Sequence, residues 1–552
     1  MGKRALFEQL VADGVTCIFG NPGTTEQAFM DLLAEYPSIT YYLALHESVA
    51  IAMADAYGRA THKPAFVEMH IAPGLGNAMG MLYNARVGGS PMVVYVGQSP
   101  AAGLFQEPYL SGDLVALARP FTKWAAEITQ PADIPQALRR AFKIAEEPPQ
   151  GPVVLSLPMD ILDAEAEVSI EPTRYVHWRT PPPAEAVKEA SALLASAQRP
   201  ALAIGDHVAL SSGQDAVIAL AELIGAPVLN AFSNQVNAPA GHPLYQARGG
   251  VPLHSGSIRR TLETYDLVLA AGTPLFSSIF PDPRGPIPEE TRVIHVDYDS
   301  WELGKNHPGD LLVRADPART LEAFREELLR TSTDEDRRRW DKRRSDIEST
   351  TLERRRAARL DHQRNWDAVP IAPHRLMAEL AAALPANAVI FDESITSGRA
   401  LEMYLEPWQP WRRFRSRGGG IGGGLPGALG LQVAFPDRLV VGLVPDGASM
   451  FTISGLWTAA HYRLPVKYVV CNNRSYRVLK QNLQNYRSGT ASGCSFPHMD
   501  LTDPELHFDR IAESLGVPGR RVEQPTELSE ALRSTFSAEG PMLLDVILES
   551  SP

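Results

Sequence analysis

The chain has 552 residues, more than one hydrophobic core organises, since domains usually hold about 100–200 residues. Hydrophobic content of 44%, charged content of 21% and a formal net charge of −12 are ordinary for a globular enzyme and would repel a phosphate backbone. The three cysteines, Cys17, Cys471 and Cys494, form neither a disulfide framework nor a zinc spacing, and no stretch approaches the ~20 apolar residues that span a bilayer, so a cytoplasmic protein with no nucleic-acid or membrane partner is expected.

Taken from the N-terminus, MGKRALFEQLVADG predicts an amphipathic helix. The apolar runs TCIFG, ITYYLAL, AFVEMH, MVVYVG and VVLSLP then predict strands separated by helical patterns. A second set follows in ALAIG, APVLNA, LVLAAG and RVIHVD, and a third in AVIFD, RLVVGLV, VKYVVCNN and MLLDVIL. Continuous apolar strands are covered on both faces, as in parallel sheets flanked by helices. The expected fold class is therefore α/β, with three doubly wound domains of mainly parallel sheet at 1–172, 186–335 and 365–552. The Pro-rich stretch TRYVHWRTPPPAEA and the charged segment of roughly 331–365 read as the linkers between them. Within the second, RRRWDKRRSD interleaves acids with its bases and reads as a solvated helical face.

The chemistry begins with VPDGASM. A strand runs straight into Asp446 and Gly447, and the next strand runs into Asn473. Ligands of open parallel sheets sit beyond the carboxyl ends of the strands. There Asp446 offers carboxylate oxygens, Asn473 an amide oxygen and Ser475 its backbone carbonyl. Three hard oxygens are too few for an all-protein calcium cage but suit Mg²⁺, which completes an octahedron with phosphate oxygens and water. Gly447, Ala448 and Ser449 open a helix whose N–H groups can hold a diphosphate. DG and NN are also ordinary turn dipeptides; closing two buried strands at this separation makes the pair more specific than either alone.

An acidic-Gly turn followed by NN resembles the diphosphate-anchoring signature of thiamine diphosphate enzymes, with Pro445 standing where that signature has Gly. Across the chain, FGNPGTTE, LALHE, KPAFVEMH, GLGNAMG, PQGPVVLSLP and ISGLWTAAHYRLP are similar to the benzoylformate decarboxylase branch, with acetolactate synthase and benzaldehyde lyase as further relatives. The resemblance implies pyrimidine-binding, central and diphosphate-binding domains in that order, a homotetramer of dimers with active sites at subunit interfaces, and thiamine diphosphate with Mg²⁺ as cofactors. Glu47 would face the aminopyrimidine across a dimer interface, and the small residues AIAMADA after it would pack closely against another subunit. The carbonyl of Gly419 would accept from the cofactor's amino group, Ile421 would wedge between its two rings, and Tyr476 would complete the diphosphate turn. His70 would transfer protons at the reacting carbon, since imidazole titrates near neutrality. Thr24 stands where the decarboxylase has a substrate-binding Ser.

The match fails in places. Ile279 replaces the decarboxylase's second active-site His, and Val478 and Gln481 point to a substrate pocket less aromatic than that of the decarboxylase. Arg415 and Arg417 either attract an acidic substrate or pair with acids of the protein. The expected activity is non-oxidative decarboxylation of a small-molecule 2-oxo acid, with carboligation to an acyloin as a second outcome. An acetolactate synthase-like carboligase carrying a flavin and a catalytically degenerate relative are the rival readings. GLGNAMG as a dinucleotide fingerprint ranks last, for want of an acidic ribose partner.

Overall fold

The computed structural model describes residues 1–231, 234–246, 255–276, 278–405, 412–487 and 495–550, so Cys494 lies outside the described residues. Three all-parallel sheets succeed one another. The first contains β1 (Cys17–Asn21), β2 (Thr40–Leu43), β3 (Ala65–Met69), β4 (Met92–Gln98), β5 (Trp124–Glu127) and β6 (Pro152–Pro158), in the order β2-β1-β3-β4-β6-β5. The second contains β7 (Pro200–Ile204), β8 (Val228–Asn230), β9 (Leu267–Ala271), β10 (Arg292–Asp297) and β11 (Leu311–Arg314), in the order β11-β10-β9-β7-β8. The third contains β12 (Val389–Asp392), β13 (Arg413–Arg415), β14 (Val440–Pro445), β15 (Lys467–Asn472), β16 (Gly519–Val522) and β17 (Met542–Ile547), in the order β13-β12-β14-β15-β17-β16. Strand for strand, the first and third sheets have the same topology.

That pseudo-repeat explains the packing. One hydrophobic cluster runs from Phe19, Val67 and Val94 of the first sheet to Phe391, Val444 and Tyr468 of the third, while the central sheet keeps a core of its own around Leu202, Leu269 and Phe324. The helix Glu47–Thr61 lies against the helix Gly424–Ala434 so closely that a Cβ on Gly430 would stand 2.0 Å from the Met53 carbonyl oxygen. The small-residue face expected to meet another subunit thus meets the third domain of its own chain.

The second linker is also corrected. Residues Asp334–His362 form one helix, held to the central domain by Trp340, which is buried in that domain's core. Arg343 donates to the carbonyls of Ala197, Gln198, Ile224 and Gly225, which close neighbouring helices. Cations suit exactly such unsatisfied C-terminal carbonyls, so this face is bound rather than merely solvated. Among the described residues no helix is long and apolar enough to cross a membrane.

Candidate active site

The carboxyl ends of β14 and β15 meet as the sequence predicts. Pro445 ends β14 in extended backbone, with φ −86° and ψ 160°, so the strand runs into the turn with proline in place. Asp446 follows, buried, with Oδ1 accepting from the Gly447 N–H at 2.7 Å. Its Oδ2 accepts from the Ser475 N–H at 3.3 Å, and Asn473 Oδ1 accepts from the same N–H at 3.0 Å. One backbone donor therefore gathers the two oxygens the sequence assigns to a metal. Burial pushes the Asp446 carboxyl up to about 6, against the lowering effect of four backbone N–H groups. Among the described residues no cationic side chain forms an ion pair with it. The Tyr476 ring packs on the Gly447 backbone, and the Ser449 hydroxyl donates to the Pro445 carbonyl at 2.6 Å.

The glycine-rich loop stands beside this turn. Gly418, Gly419 and Gly422 have φ of 75°, 93° and 99°, which residues with a Cβ rarely adopt. Gly419 is exposed, and a Cβ there would meet nothing within 4 Å, so this stretch of backbone faces open space. Ile421 is half-buried. Two supports were not foreseen. Asn84 donates to the Gly420 carbonyl at 2.8 Å and accepts from its N–H at 2.9 Å. Glu393, fully buried, accepts from the N–H groups of Gly422, Gly423 and Gly424 at 2.9, 3.1 and 2.8 Å. Arg417 pairs with Asp206 of the central domain at 3.3 Å, and Arg415 lies 3.9 Å from Asp392. Both arginines are thus partnered by acids of the protein.

In the first domain Glu47 opens its helix at the first position, buried, where an acid complements the helix dipole. Asn21 Nδ2 donates to one of its oxygens at 3.3 Å and Asn77 Nδ2 to the other at 3.1 Å. His70 follows β3 and precedes Ile71, whose φ of 34° is unusual for a β-branched residue and marks stored strain at the point where the imidazole is presented. His70 Nδ1 lies 2.8 Å from Glu26 Oε2 and 3.2 Å from Thr25 Oγ1. Glu26 also accepts from the Thr25 hydroxyl at 2.6 Å and the Gly23 N–H at 2.9 Å. Thr25, rather than Thr24, therefore reaches the imidazole; Thr24 is exposed beside it.

Asn21, Thr25 and Glu26 all lie in FGNPGTTE, and Asn77 in GLGNAMG. The motifs were legible, but which side chain in each turns inward was not. Val478 and Gln481 are half-buried on the helix Arg477–Tyr486, whereas Ile279 is 68% exposed in a loop of the central domain. Among the described residues no hydrogen bond or ion pair joins Glu47 or His70 to the Asp446 turn.

Comparison with known sequences decides what these elements belong to. The family described as thiamine pyrophosphate enzyme, N-terminal TPP binding domain, matches residues 1–111; its central domain matches 187–324 and its C-terminal TPP binding domain 402–546. A benzoylformate decarboxylase of Pseudomonas aeruginosa is 31% identical over 547 residues, 98% of each chain. The chain belongs to the thiamine pyrophosphate enzymes. The enzyme is also 29% identical to a probable acetolactate synthase large subunit of Methanococcus aeolicus, over 100% of this chain and 92% of that one. Among solved structures, the thiamine diphosphate-dependent 4-hydroxybenzoylformate decarboxylase of Rhodococcus jostii superposes with a TM-score of 0.86 at 29% identity, covering 100% and 99% of the two chains. The benzoylformate decarboxylase of Polynucleobacter necessarius gives 0.85 at 28% identity, covering 100% and 98%.

The enzyme's residues fit the family's cofactor, thiamine diphosphate. A buried carboxylate with no cationic partner among the described residues and an amide oxygen beside it would suit a metal-held diphosphate, and open left-handed glycine backbone would let a flat ligand approach closely.

Proposed function

We propose that the enzyme decarboxylates a 2-oxo acid non-oxidatively with thiamine diphosphate and Mg²⁺, and ligates the product to an aldehyde when one is present. The observation that carries this reading is the pairing of His70 with the buried carboxyl of Glu26, because it fixes the orientation of a proton-transfer group at the carboxyl end of the first sheet. A carboxylate only accepts, so Nδ1 is the donor and Nε2 is left for the reacting molecule.

Asp446, Asn473 and the Ser475 carbonyl would hold Mg²⁺, and Gly447, Ala448, Ser449 and Tyr476 the diphosphate. The open Gly419 backbone and the Ile421 side chain would pack against the cofactor's rings. Once bound, the cofactor supplies the electron sink that cleavage beside a carbonyl needs. Glu47 holds a proton at the pyrimidine, and Asn21 and Asn77 orient its carboxyl. His70 gives or takes the proton at the substrate carbon. Thr24, Val478 and Gln481 line the approach, and Ile279 would join them only if its exposed loop folds inward. Among the described residues no hydrogen bond or ion pair joins Glu47 and His70 on one side to the Asp446 turn on the other, which supports a site completed between two subunits of a homotetramer. Buried free thiols at Cys17 and Cys471 favour the cytoplasm.

A flavin-carrying carboligase is less well supported. The carboxyl ends of β7 and β10 carry Asp206, Asp297 and Asp299, and His207 bonds to Asp297 at 2.9 Å while stacking on Tyr298. Acids and packed rings disfavour a dinucleotide's phosphates there. A panel of aromatic, aliphatic and acidic 2-oxo acids, assayed for carbon dioxide with and without an aldehyde, tests the proposal; release from none of them would refute it.

A further inference from the structure

Behind His70 lies a second carboxyl group to which the mechanism above gives no task. Glu68 sits on β3 two residues before His70, on the same side of the strand, and is fully buried. It stands opposite Gly20 of β1 and Tyr95 of β4. A Cβ on Gly20 would come within 2.6 Å of Glu68 Oε2, and one on Gly97 within 1.7 Å of Glu26 Oε1. Two glycines on the flanking strands thus make room for two acids.

Their surroundings differ. Glu26 meets donors from the Gly23 backbone, the Thr25 hydroxyl and His70, the company an ionised carboxylate keeps. Among the described residues Glu68 receives only the Tyr41 hydroxyl, at Oε2, and Oε1 has no partner. Among the described residues the groups facing it are Tyr41 from β2, Tyr95 from β4 with its hydroxyl also unpartnered, Glu26 from the turn after β1 and Glu47 from the following helix. No cation among the described residues pairs with it. An ionised carboxylate with one hydrogen bond and no counter-charge is very costly in such a place.

We propose that Glu68 is a positioning residue for His70: it stays protonated beside the Glu26 carboxylate, so that this pair of acids carries one negative charge, on Glu26, and that charge faces the imidazole. The direction of its titration agrees, since burial first, and then the charges of Glu26 and Glu47, push the Glu68 carboxyl well above the usual range. Environments that drive two neighbouring acids apart are the usual way a fold assigns one to be charged and one neutral. The proposal rests on the proton-transfer role of His70.

Two readouts on the full-length holoenzyme test it. The wild-type-minus-Glu68→Gln infrared difference spectrum at neutral pH is expected to show a protonated carboxyl band, and the same difference taken in the His70→Ala background is expected to keep it. The alkaline limb of the kcat–pH profile is expected to contain one ionisation fewer in Glu68→Gln than in wild type. Tyr41→Phe, which removes the single donor to the ionised form, is expected to move that ionisation to higher pH. A difference spectrum without the band, or superimposable pH profiles in all three proteins, overturns the proposal. His70→Ala separates the two readings: unimpaired turnover there removes the role of His70 and the positioning role with it, whereas an absent band removes only the latter.

Discussion

His70 Nδ1 and Glu26 Oε2 lie 2.8 Å apart, although the two residues follow different strands, β3 and β1, that neighbour each other in the first sheet. Parallel strands end together at one edge, so residues far apart in sequence are delivered to one place. Glu26→Gln keeps the shape and removes the charge. We expect kcat to fall on the order of 10- to 100-fold, less than the ~10²–10⁴ that a positioned acid–base group itself supplies. The double variant with His70→Ala should be no slower than His70→Ala alone, because the two act as one unit. Steady-state decarboxylation rates check both.

Glu47→Gln should lower kcat by roughly 10²–10⁴ while leaving cofactor binding largely intact, since Glu47 touches the first domain's Asn21 and Asn77 and not the Asp446 turn. Turnover and the thermal shift produced by thiamine diphosphate with Mg²⁺ measure the two effects separately. Equal turnover in the variant would remove Glu47 from the chemistry.

Asp446→Ala should abolish that thermal shift. A ligand present at ~100 times its Kd stabilises by about 2.7 kcal/mol, which a melting curve resolves. Chelation of divalent metal from wild type should reproduce the loss; a full shift in the variant would place the anchor elsewhere.

Arg417 ties three domains. Its guanidinium pairs with Asp206 of the central domain and donates to the Gly88 carbonyl of the first, and its backbone opens the glycine-rich loop of the third. Burial raises the Asp206 carboxyl, but Arg417 and Arg59, with hydrogen bonds from Asn234 and Asn237, bring it below its usual range. Arg417→Met removes the ion-pair partner of the buried Asp206, leaving it the more distant Arg59 and the asparagine hydrogen bonds, and should destabilise by about 3 kcal/mol. Adding Asp206→Asn should restore much of it, as seen in chemical denaturation.

Asp545 makes stability pH-dependent. Its Oδ1 accepts from Asn472 at 2.9 Å, and burial pushes the carboxyl from 3.8 up to about 7. The folded state therefore holds a proton that the unfolded chain has lost between those values, so stability falls as pH rises through that window and then levels off. Asp545→Asn should remove this loss, at most about 4 kcal/mol from a shift of that size. Melting temperatures at pH 5 and pH 8 should differ less in the variant than in wild type.

The interior strands were legible because burial on both faces demands continuous apolar runs, as in VVGLVP of β14 and MVVYVG within β4. The strands missed were β5, β11, β13 and β16, and every one is an edge strand. Their sequences, WAAE, LLVR, RFR and GRRV, are short and partly polar, because an edge strand is covered on fewer sides and only the neighbouring backbone makes it a strand. The charged segment after residue 331 read as a linker because its arginines seek no apolar partner; the carbonyl ends of other helices give them their place.

By itself the sequence determined the three α/β units and the residue types of the site: Asp446 and Asn473 at strand ends, Glu47 at a helix start, His70 after β3 and glycines where backbone must lie open. Periodicity and turn chemistry are local, and local pattern suffices for these. Only the tertiary structure decided that Glu26 and Thr25, not Thr24, meet His70, that Asn84 and Glu393 hold the glycine-rich loop, that Asp206 balances Arg417, and that Glu68 lies buried against the Tyr41 hydroxyl. Each of those facts is a distance between side chains on different elements, and such distances come from the register of strands and the packing of helices, which no single stretch of chain encodes.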